Sequence, residues 1–266
     1  GLPVIRGTEW DVPADDLLQA AETIGYPLMI KAAQGGGGKG IRLVTSPDEL
    51  PRALLAARRE AESAFGDGTL FLERVLEGVR HIEFQILADH YGNVIHLCER
   101  EGSIQRHHQK VLEEAPSRVL DDELRQRMGQ VAVAAARAAG YTNAGTVEFL
   151  VDDNRNFHFL EINPRLQVEH PTTEMVTGID IVKEQLRIAS GRRLRYTQDD
   201  VRLRGWAMEC RILAESPFDG FRPSVGKITH LREPSGPGIR VETGIHEGHE
   251  ITPYYDSLIA KVVAWG

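Results

Sequence analysis

An α+β fold with a largely antiparallel sheet is what this sequence of 266 residues predicts. Three observations carry it. Stretches with helical spacing alternate with short strand-like runs. Two pairs of consecutive runs are joined by turns short enough for hairpins. One run, Arg80 to Ala88, alternates Ile82, Phe84 and Ile86 with His81, Glu83 and Gln85, the period of a strand with one apolar and one polar face.

In chain order, Asp15 to Gly25 places apolar residues at helical spacing and stops on glycine. Pro27 to Ala33 reads as a strand that enters Gly35 to Gly40, and Ile41 to Thr45 is its hairpin partner. Pro47 to Ala64, rich in Ala, Leu, Arg and Glu, favours a helix. Strands are expected at Thr69 to Val75, Arg80 to Ala88 and Val94 to Arg100. Asp121 to Gly140 is an Ala-rich helix ended by glycine. Ala144 to Val151 and Asn156 to Asn163 flank a polar turn as a second hairpin, and Asp180 to Ser190 is helical. The remainder mixes short strands with Pro and Gly turns. No internal repeat or low-complexity linker interrupts the chain.

Composition narrows the function. A hydrophobic share of 41% supports a sizeable core in one or two domains, and 26% charge with few aromatics suits a soluble globular chain rather than a disordered one. The net charge of −8 argues against a nucleic-acid partner. No apolar run approaches a membrane span, and the first residues lack the segments of a signal peptide. Cys98 and Cys210 suit a reduced, cytoplasmic protein better than a disulfide framework or a zinc site. The absence of an initiator Met suggests a piece of a longer chain.

Three stretches bear chemistry. Gly35 to Gly40, with Lys39, fails the Walker pattern because Ala33 and Gly40 occupy positions that need Gly and Ser/Thr. It meets the dinucleotide-binding glycine pattern in the wrong context, a strand following where a helix belongs. A hairpin whose backbone N–H groups close over a triphosphate, with Lys31 and Lys39 adding charge, remains, beside a plain surface turn. Glu148 and Glu161 lie equally far from the centre of the second hairpin's turn and face each other in its simplest register, where a cation would relieve their repulsion. With Asn163 they suit Mg²⁺ or Mn²⁺. In another register one of them faces solvent. Finally, Glu161, Asn163, Arg165, Gln167 and Glu169 share one parity, so an extended stretch would present an anion site with a nearby base, or else a solvated strand edge.

The segments IKAAQGGGGKGIRLV, FLERVLEGVRHIEFQILAD, SIQRHHQKVLEEAP, GTVEFL, HFLEINPRLQVEHPTTEMVTGIDIV, MECRILAE and PYYDSLIAKV resemble the biotin carboxylase family over nearly the whole chain. The resemblance implies an ATP-grasp fold: a lid subdomain over residues 1–75, a core over 76–200 and the start of a C-terminal domain over 201–266. It implies ATP-dependent carboxylation of biotin with bicarbonate through carboxyphosphate, as in acyl-CoA carboxylases of fatty acid synthesis. Lys31 and Gly36, Gly37 and Gly38 then correspond to the phosphate-contacting lid, and Glu73, Leu76, His81, Gln105 and His108 to the nucleotide site. Lys110 corresponds to a lysine near bicarbonate and the γ-phosphate, and Glu148, Glu161 and Asn163 to the metal site. Arg165, Gln167 and Val168 match the bicarbonate pocket, Glu169 the general base, and Arg211 the arginine that stabilises the biotin enolate.

The same resemblance implies a carrier domain or subunit that supplies biotin, a carboxyltransferase partner and a homodimer in the full-length protein. Departures are His107 where many relatives have arginine, Gly102 where cysteine is usual, and Pro164 in place of Thr or Ala. The family also carries an N-terminal domain before this region and more chain after it, both expected to be missing here. Two alternatives stand beside the enzyme: a catalytically incomplete nucleotide-binding or subunit-interaction fragment, and an ATP-grasp ligase acting on another carboxylate.

Overall fold

The computed structural model describes residues 2–10, 12–34 and 41–266. The glycine run 35–40 lies outside them, and with it the expectations for Gly36, Gly37, Gly38 and Lys39. The chain divides into two compact units: Gly1–Val79 with Asp152–Leu160, and Arg80–Val151 with Glu161–Gly266.

In the first unit, helix α1 (Ala14–Ile24) precedes strand β1 (Leu28–Ala32), which pairs antiparallel with β2 (Ile41–Val44). After helix α2 (Leu50–Phe65), strand β3 (Leu70–Arg74) returns to the other edge of β1, giving the order β2-β1-β3. The apolar spacing explains the packing. Leu17, Ala21 and Ile24 of α1 and Leu50, Ala57 and Ala61 of α2 fall on single helical faces and meet Leu28, Ile30 and Leu72 in one buried cluster. Gly66, at φ 75°, ends α2 in the left-handed conformation that glycine adopts without cost. Pro47 starts a short 3-10 turn ahead of α2, so the helix proper begins at Leu50, later than its composition suggests.

The second unit is built on an eight-stranded sheet. Seven of its strands lie in this unit, in the order Ile239–Thr243, Leu258–Trp265, β9 (Ala207–Leu213), β6 (Gln109–Ala115), β5 (Val94–Arg106), β4 (Arg80–Ala88) and β7 (Asn143–Val151); β8 (Phe157–Asn163) enters the unit at Glu161. Every pairing with a defined register here is antiparallel. Helix α3 (Asp122–Ala138) packs on β4 and β5; the Asp121 carboxylate caps it by accepting from the Leu124 N–H at 2.9 Å. On that face Phe84 packs edge-on against Phe149 and His96. Helices α4 (His170–Thr177) and α5 (Ile181–Ala189) follow β8.

The structure corrects two expectations and adds to a third. Strand β5 runs on to Arg106 and turns through His107 and His108 into β6, a strand absent from the sequence reading. The polar face of β4 is not solvated, since Glu83 and Gln85 are fully buried. The alternation from Glu161 to Glu169 is not one extended edge: β8 ends at Asn163, and the chain turns through residues 164–169 into α4. Pro164 cannot donate to a strand ladder, and Pro171 suits the first turn of the helix.

Candidate active site

Register places the buried charges. On β4, Glu83 lies opposite Arg100 of β5 on one side and Glu148 of β7 on the other; Gln85 lies opposite Thr146. Directly opposed residues share a sheet face, so four polar side chains and a guanidinium are buried together. Arg100, wholly buried, bonds to three of them, Glu83, Gln85 and Thr146, and to two residues beyond β8. Its Nε donates to Glu83 Oε1 at 2.6 Å, and Nη1 donates to Gln85 Oε1 at 2.8 Å and Thr173 Oγ1 at 3.0 Å. Its Nη2 donates to Gln167 Oε1 at 2.8 Å and Thr146 Oγ1 at 3.3 Å.

Lys110, one residue into β6, supplies the second cation. Its ammonium donates to Glu169 Oε1 at 2.8 Å and Glu148 Oε1 at 3.2 Å, and pairs with Glu83. Burial opposes its charge, but Glu83, Glu169 and Glu148 together hold the ammonium protonated far above the ordinary range. Gly102 makes room for it, because a Cβ there would stand 2.8 Å from Lys110 Cδ. Burial also opposes ionisation of Glu148; hydrogen bonding to His81 and the charge of Lys110 outweigh it and bring that carboxyl down to about 2. Glu83 is likewise held below the usual carboxylate range against its burial, by Lys110 and Arg100.

The turn after β8 brings the remaining groups inward. Gln167 is buried and donates from Nε2 to Glu148 Oε1 at 2.6 Å, while its own oxygen takes the Arg100 bond. Glu169, at the entrance to α4, is buried between two cations: Lys110, and Arg211 of β9, whose Nη2 lies 3.0 Å from Oε2. The Val168 carbonyl accepts from Lys261. Arg165 stays exposed, with Nη2 at 3.4 Å from Asn163 Oδ1. Gln105 donates to the Gly102 carbonyl at 2.8 Å and lies 3.2 Å from His81 Nδ1.

His108 is exposed in the β5–β6 turn, where it and His107 both take positive φ, 61° and 51°, as a two-residue primed hairpin turn requires. Lys31, Glu73 and Leu76 belong to the first unit; there Lys31 pairs with Glu73, and Leu76 is half-buried beyond β3. Arg100, Glu83, Gln85, Glu113 and Glu209 are absent from the sequence expectations. Glu83 and Gln85 were legible only as the polar side of a strand.

Asn163 Nδ2 donates to Glu148 Oε1 at 2.8 Å and to Glu161 Oε1 at 3.1 Å, so one amide spans the two carboxylates proposed from sequence. The two carboxylates supply oxygen donors of the kind a hard divalent cation takes, and the amide oxygen, turned here toward Arg165, would join them on rotation of the side chain. A second grouping, His81, Glu83 and Glu148, has ligand atoms within 4.8 Å of one another. The Lys110 ammonium lies against Glu83 and Glu148 of that grouping, and Glu148 is common to both sets. A cavity of about 700 Å³, lined by Glu174, Lys183, Leu186, Arg240 and neighbours, contains none of these groups.

Comparison with known proteins identifies the fold as an ATP-grasp fold and then narrows the assignment. The model of the carbamoyl-phosphate synthase L chain ATP-binding domain matches residues 1–197, and that of the biotin carboxylase C-terminal domain matches residues 209–266. The chain belongs to the biotin carboxylase family.

It is 56% identical to the biotin carboxylase of Nostoc sp. and 56% identical to a pyruvate carboxylase subunit from Methanothermobacter thermautotrophicus. The whole chain is covered in both alignments, but it spans only 60% and 54% of those proteins. Among solved structures, it matches the biotin carboxylase domain dimer of Hydrogenobacter thermophilus 2-oxoglutarate carboxylase, solved with MgADP, ADP and bicarbonate. The TM-score is 0.96 at 52% identity, over 100% of this chain and 59% of that one. The biotin carboxylase of Campylobacter jejuni, in a β-γ-ATP complex, gives a TM-score of 0.96 at 46% identity, over 100% of this chain and 59% of that one. Among the described residues no helix is long and apolar enough to cross a membrane.

Proposed function

We propose that this chain is the greater part of the catalytic region of an enzyme that carboxylates biotin with Mg·ATP and bicarbonate. The observation that carries the proposal is Glu169, a buried carboxylate held between the Lys110 ammonium and the Arg211 guanidinium. A base flanked by two fixed cations is suited to deprotonate bicarbonate, since the cations stabilise the dianion that results. Arg165 and Gln167 would hold that anion, together with the Val168 backbone. Its oxygen then attacks the γ-phosphorus of ATP, forming carboxyphosphate and releasing ADP.

Lys110 offers its charge to the transferring phosphoryl group. Glu148, Glu161 and Asn163 would hold Mg²⁺ or Mn²⁺, whose charge neutralises the nucleotide phosphates. Carboxyphosphate breaks down to CO₂ and phosphate, the phosphate takes the biotin N1 proton, and Arg211 steadies the negative ureido oxygen. Lys31, Glu73, Leu76, His81, Gln105 and His108, with the glycine run, are the nucleotide contacts in this reading.

Three finer elements belong to the same proposal: biotin delivered by a carrier domain or subunit, a carboxyltransferase partner, and a homodimer in a cytoplasmic setting. An acyl-CoA acceptor is its most specific part, since relatives include proteins named for pyruvate and 2-oxoglutarate carboxylation. The test is phosphate release from Mg·ATP, with and without bicarbonate and free biotin, using Glu169→Gln as control. Release that depends on bicarbonate, rises with biotin and is lost in the variant supports the enzyme. Release driven by a different carboxylate would indicate another ligase, and none in a full-length protein would overturn the proposal.

A further inference from the structure

Two buried carboxylates beside this site have no part in the chemistry above. Glu113 of β6 and Glu209 of β9 are direct cross-strand partners, and both are completely buried. Partners across antiparallel strands project from the same side of the sheet, with Cβ atoms roughly 5 Å apart. Glu113 Oε1 accepts from Arg211 Nε at 2.7 Å, and Arg211 Nη2 lies 2.6 Å from the same oxygen. Among the described residues, Glu113 Oε2 and both oxygens of Glu209 have no partner. Arg211 follows Glu209 by two residues, so the two share a face of β9. Its guanidinium is therefore fixed at two points, by Glu113 and by Glu169.

Two adjacent carboxylates shielded from water do not both ionise. Arg211 neutralises Glu113, whereas among the described residues nothing donates to Glu209. We propose that Glu113 is the positioning residue that aims Arg211, and that Glu209 carries a proton that keeps the pair at a single negative charge. The proposal rests on the role given to Arg211 above. With one charge, Glu113 fixes the guanidinium plane and leaves its field available to a substrate anion. With two, the pair would draw the guanidinium toward the sheet and away from Glu169.

The groups that act on the pair agree with this. They are Arg211 on β9, Lys261 on the strand Leu258–Trp265, Glu83 on β4, Glu169 before α4, and the neighbouring Cys210 thiol. Burial, aided by Glu169 and by each carboxyl's effect on its neighbours, pushes Glu113 up to about 7 and Glu209 further, to about 8, against the pull of Arg211 and Lys261.

The experiment uses the full-length protein and has a readout that needs no turnover. Carboxyl ¹³C NMR should show glutamate protons retained above the ordinary carboxylate range of about 4–5, and Glu209→Gln should remove the one that titrates highest. The Arg211 Nε–H resonance, identified by its loss in Arg211→Lys, should move in Glu113→Gln. In kinetics, Glu113→Gln should lower kcat for biotin carboxylation by about tenfold to a hundredfold while KM for ATP stays within about twofold, with partial recovery in Glu113→Asp. Both carboxyls titrating in the ordinary range, or an Arg211 signal indifferent to Glu113, would overturn the proposal. If Glu113→Gln does not fold, the wild-type titration and Glu113→Asp still decide. A wild-type protein that shows the NMR signature without bicarbonate-dependent turnover would count against the enzymatic reading alone.

Discussion

Arg100→Met removes a side chain that ties β4, β5, β7, the turn after β8 and α4 together. Five hydrogen bonds go with it, to Glu83, Gln85, Thr146, Gln167 and Thr173. Breaking a buried ion pair by deleting one partner costs about 3–5 kcal/mol. The Gln85 and Gln167 oxygens lose their donor, at about 1–3 kcal/mol each where water cannot replace it. Two effects offset this: Glu83 keeps Lys110, and the methionine buries an apolar side chain, recovering on the order of 1.5–3 kcal/mol. Because these contributions overlap, the net loss expected is about 3–6 kcal/mol. Urea unfolding of the wild type, Arg100→Met, Glu83→Gln and the double variant reads it directly. The double variant should be less unstable than the sum of the singles by about 1–3 kcal/mol, since each single leaves the other partner without its counter-charge. A loss below about 1 kcal/mol, or strict additivity, would refute the argument that this guanidinium organises the site.

Glu209 gives a prediction about pH. Its folded value, about 8, lies above the ordinary 4.5, so the folded state holds a proton that the unfolded chain releases. Stability from this group is complete below pH 4.5 and falls as pH rises toward 8, at up to about 1.4 kcal/mol per pH unit. Glu209→Gln should flatten that slope in urea titrations from pH 5 to 8; an unchanged slope would show that the carboxyl is ionised in the fold. Glu169→Gln should reduce bicarbonate-dependent phosphate release by about 10²–10⁴-fold, the range of a lost general base, and a smaller loss would assign the base elsewhere. Glu161→Gln should raise the Mg²⁺ concentration needed for half-maximal nucleotide binding by about tenfold or more in calorimetry. No change there would remove Glu161 from the metal site.

What the sequence reveals follows from how local the information is. The β4 span is read correctly, because Ile82, Phe84 and Ile86 declare a period of two within nine residues. The β7–β8 hairpin and α3 are legible from a polar turn and from composition ended by glycine. Arg100 is not legible. It sits in the run Cys98-Glu99-Arg100-Glu101, which looks like the solvated end of a strand, and only pairing with Glu83 shows otherwise. Glu113 and Glu209 are hidden for a stronger reason: their strands meet across a wide separation in sequence, and β6 has no regular alternation to announce it. The row from Glu161 to Glu169 misleads in an instructive way. A turn that buries Gln167 and Glu169 while leaving Arg165 exposed cannot be told from an extended edge by parity alone.

That the site is made of ion pairs, not an apolar cleft, follows from the substrates it is proposed to serve. Triphosphate and bicarbonate bring several negative charges, and cations that receive them must be charged and in place before they arrive. Left alone in a buried site, Lys110 would lose its charge and Arg211 would turn toward solvent. Glu83, Glu148 and Glu169 prevent this for Lys110, and Glu113 and Glu169 for Arg211. Register makes the arrangement possible: Glu148, Glu83 and Arg100 stand in line across three strands, and Arg211 stands opposite Lys261 farther along the sheet. One face of the sheet thereby carries a fixed array of paired acidic and basic groups, while the opposite face, under α3, carries the apolar side chains that hold the strands in place. A one-residue slip of β4 would exchange the two faces, burying Phe84 among the charges and Glu83 in the core. The strand register that stabilises the fold is for that reason also what fixes the chemistry.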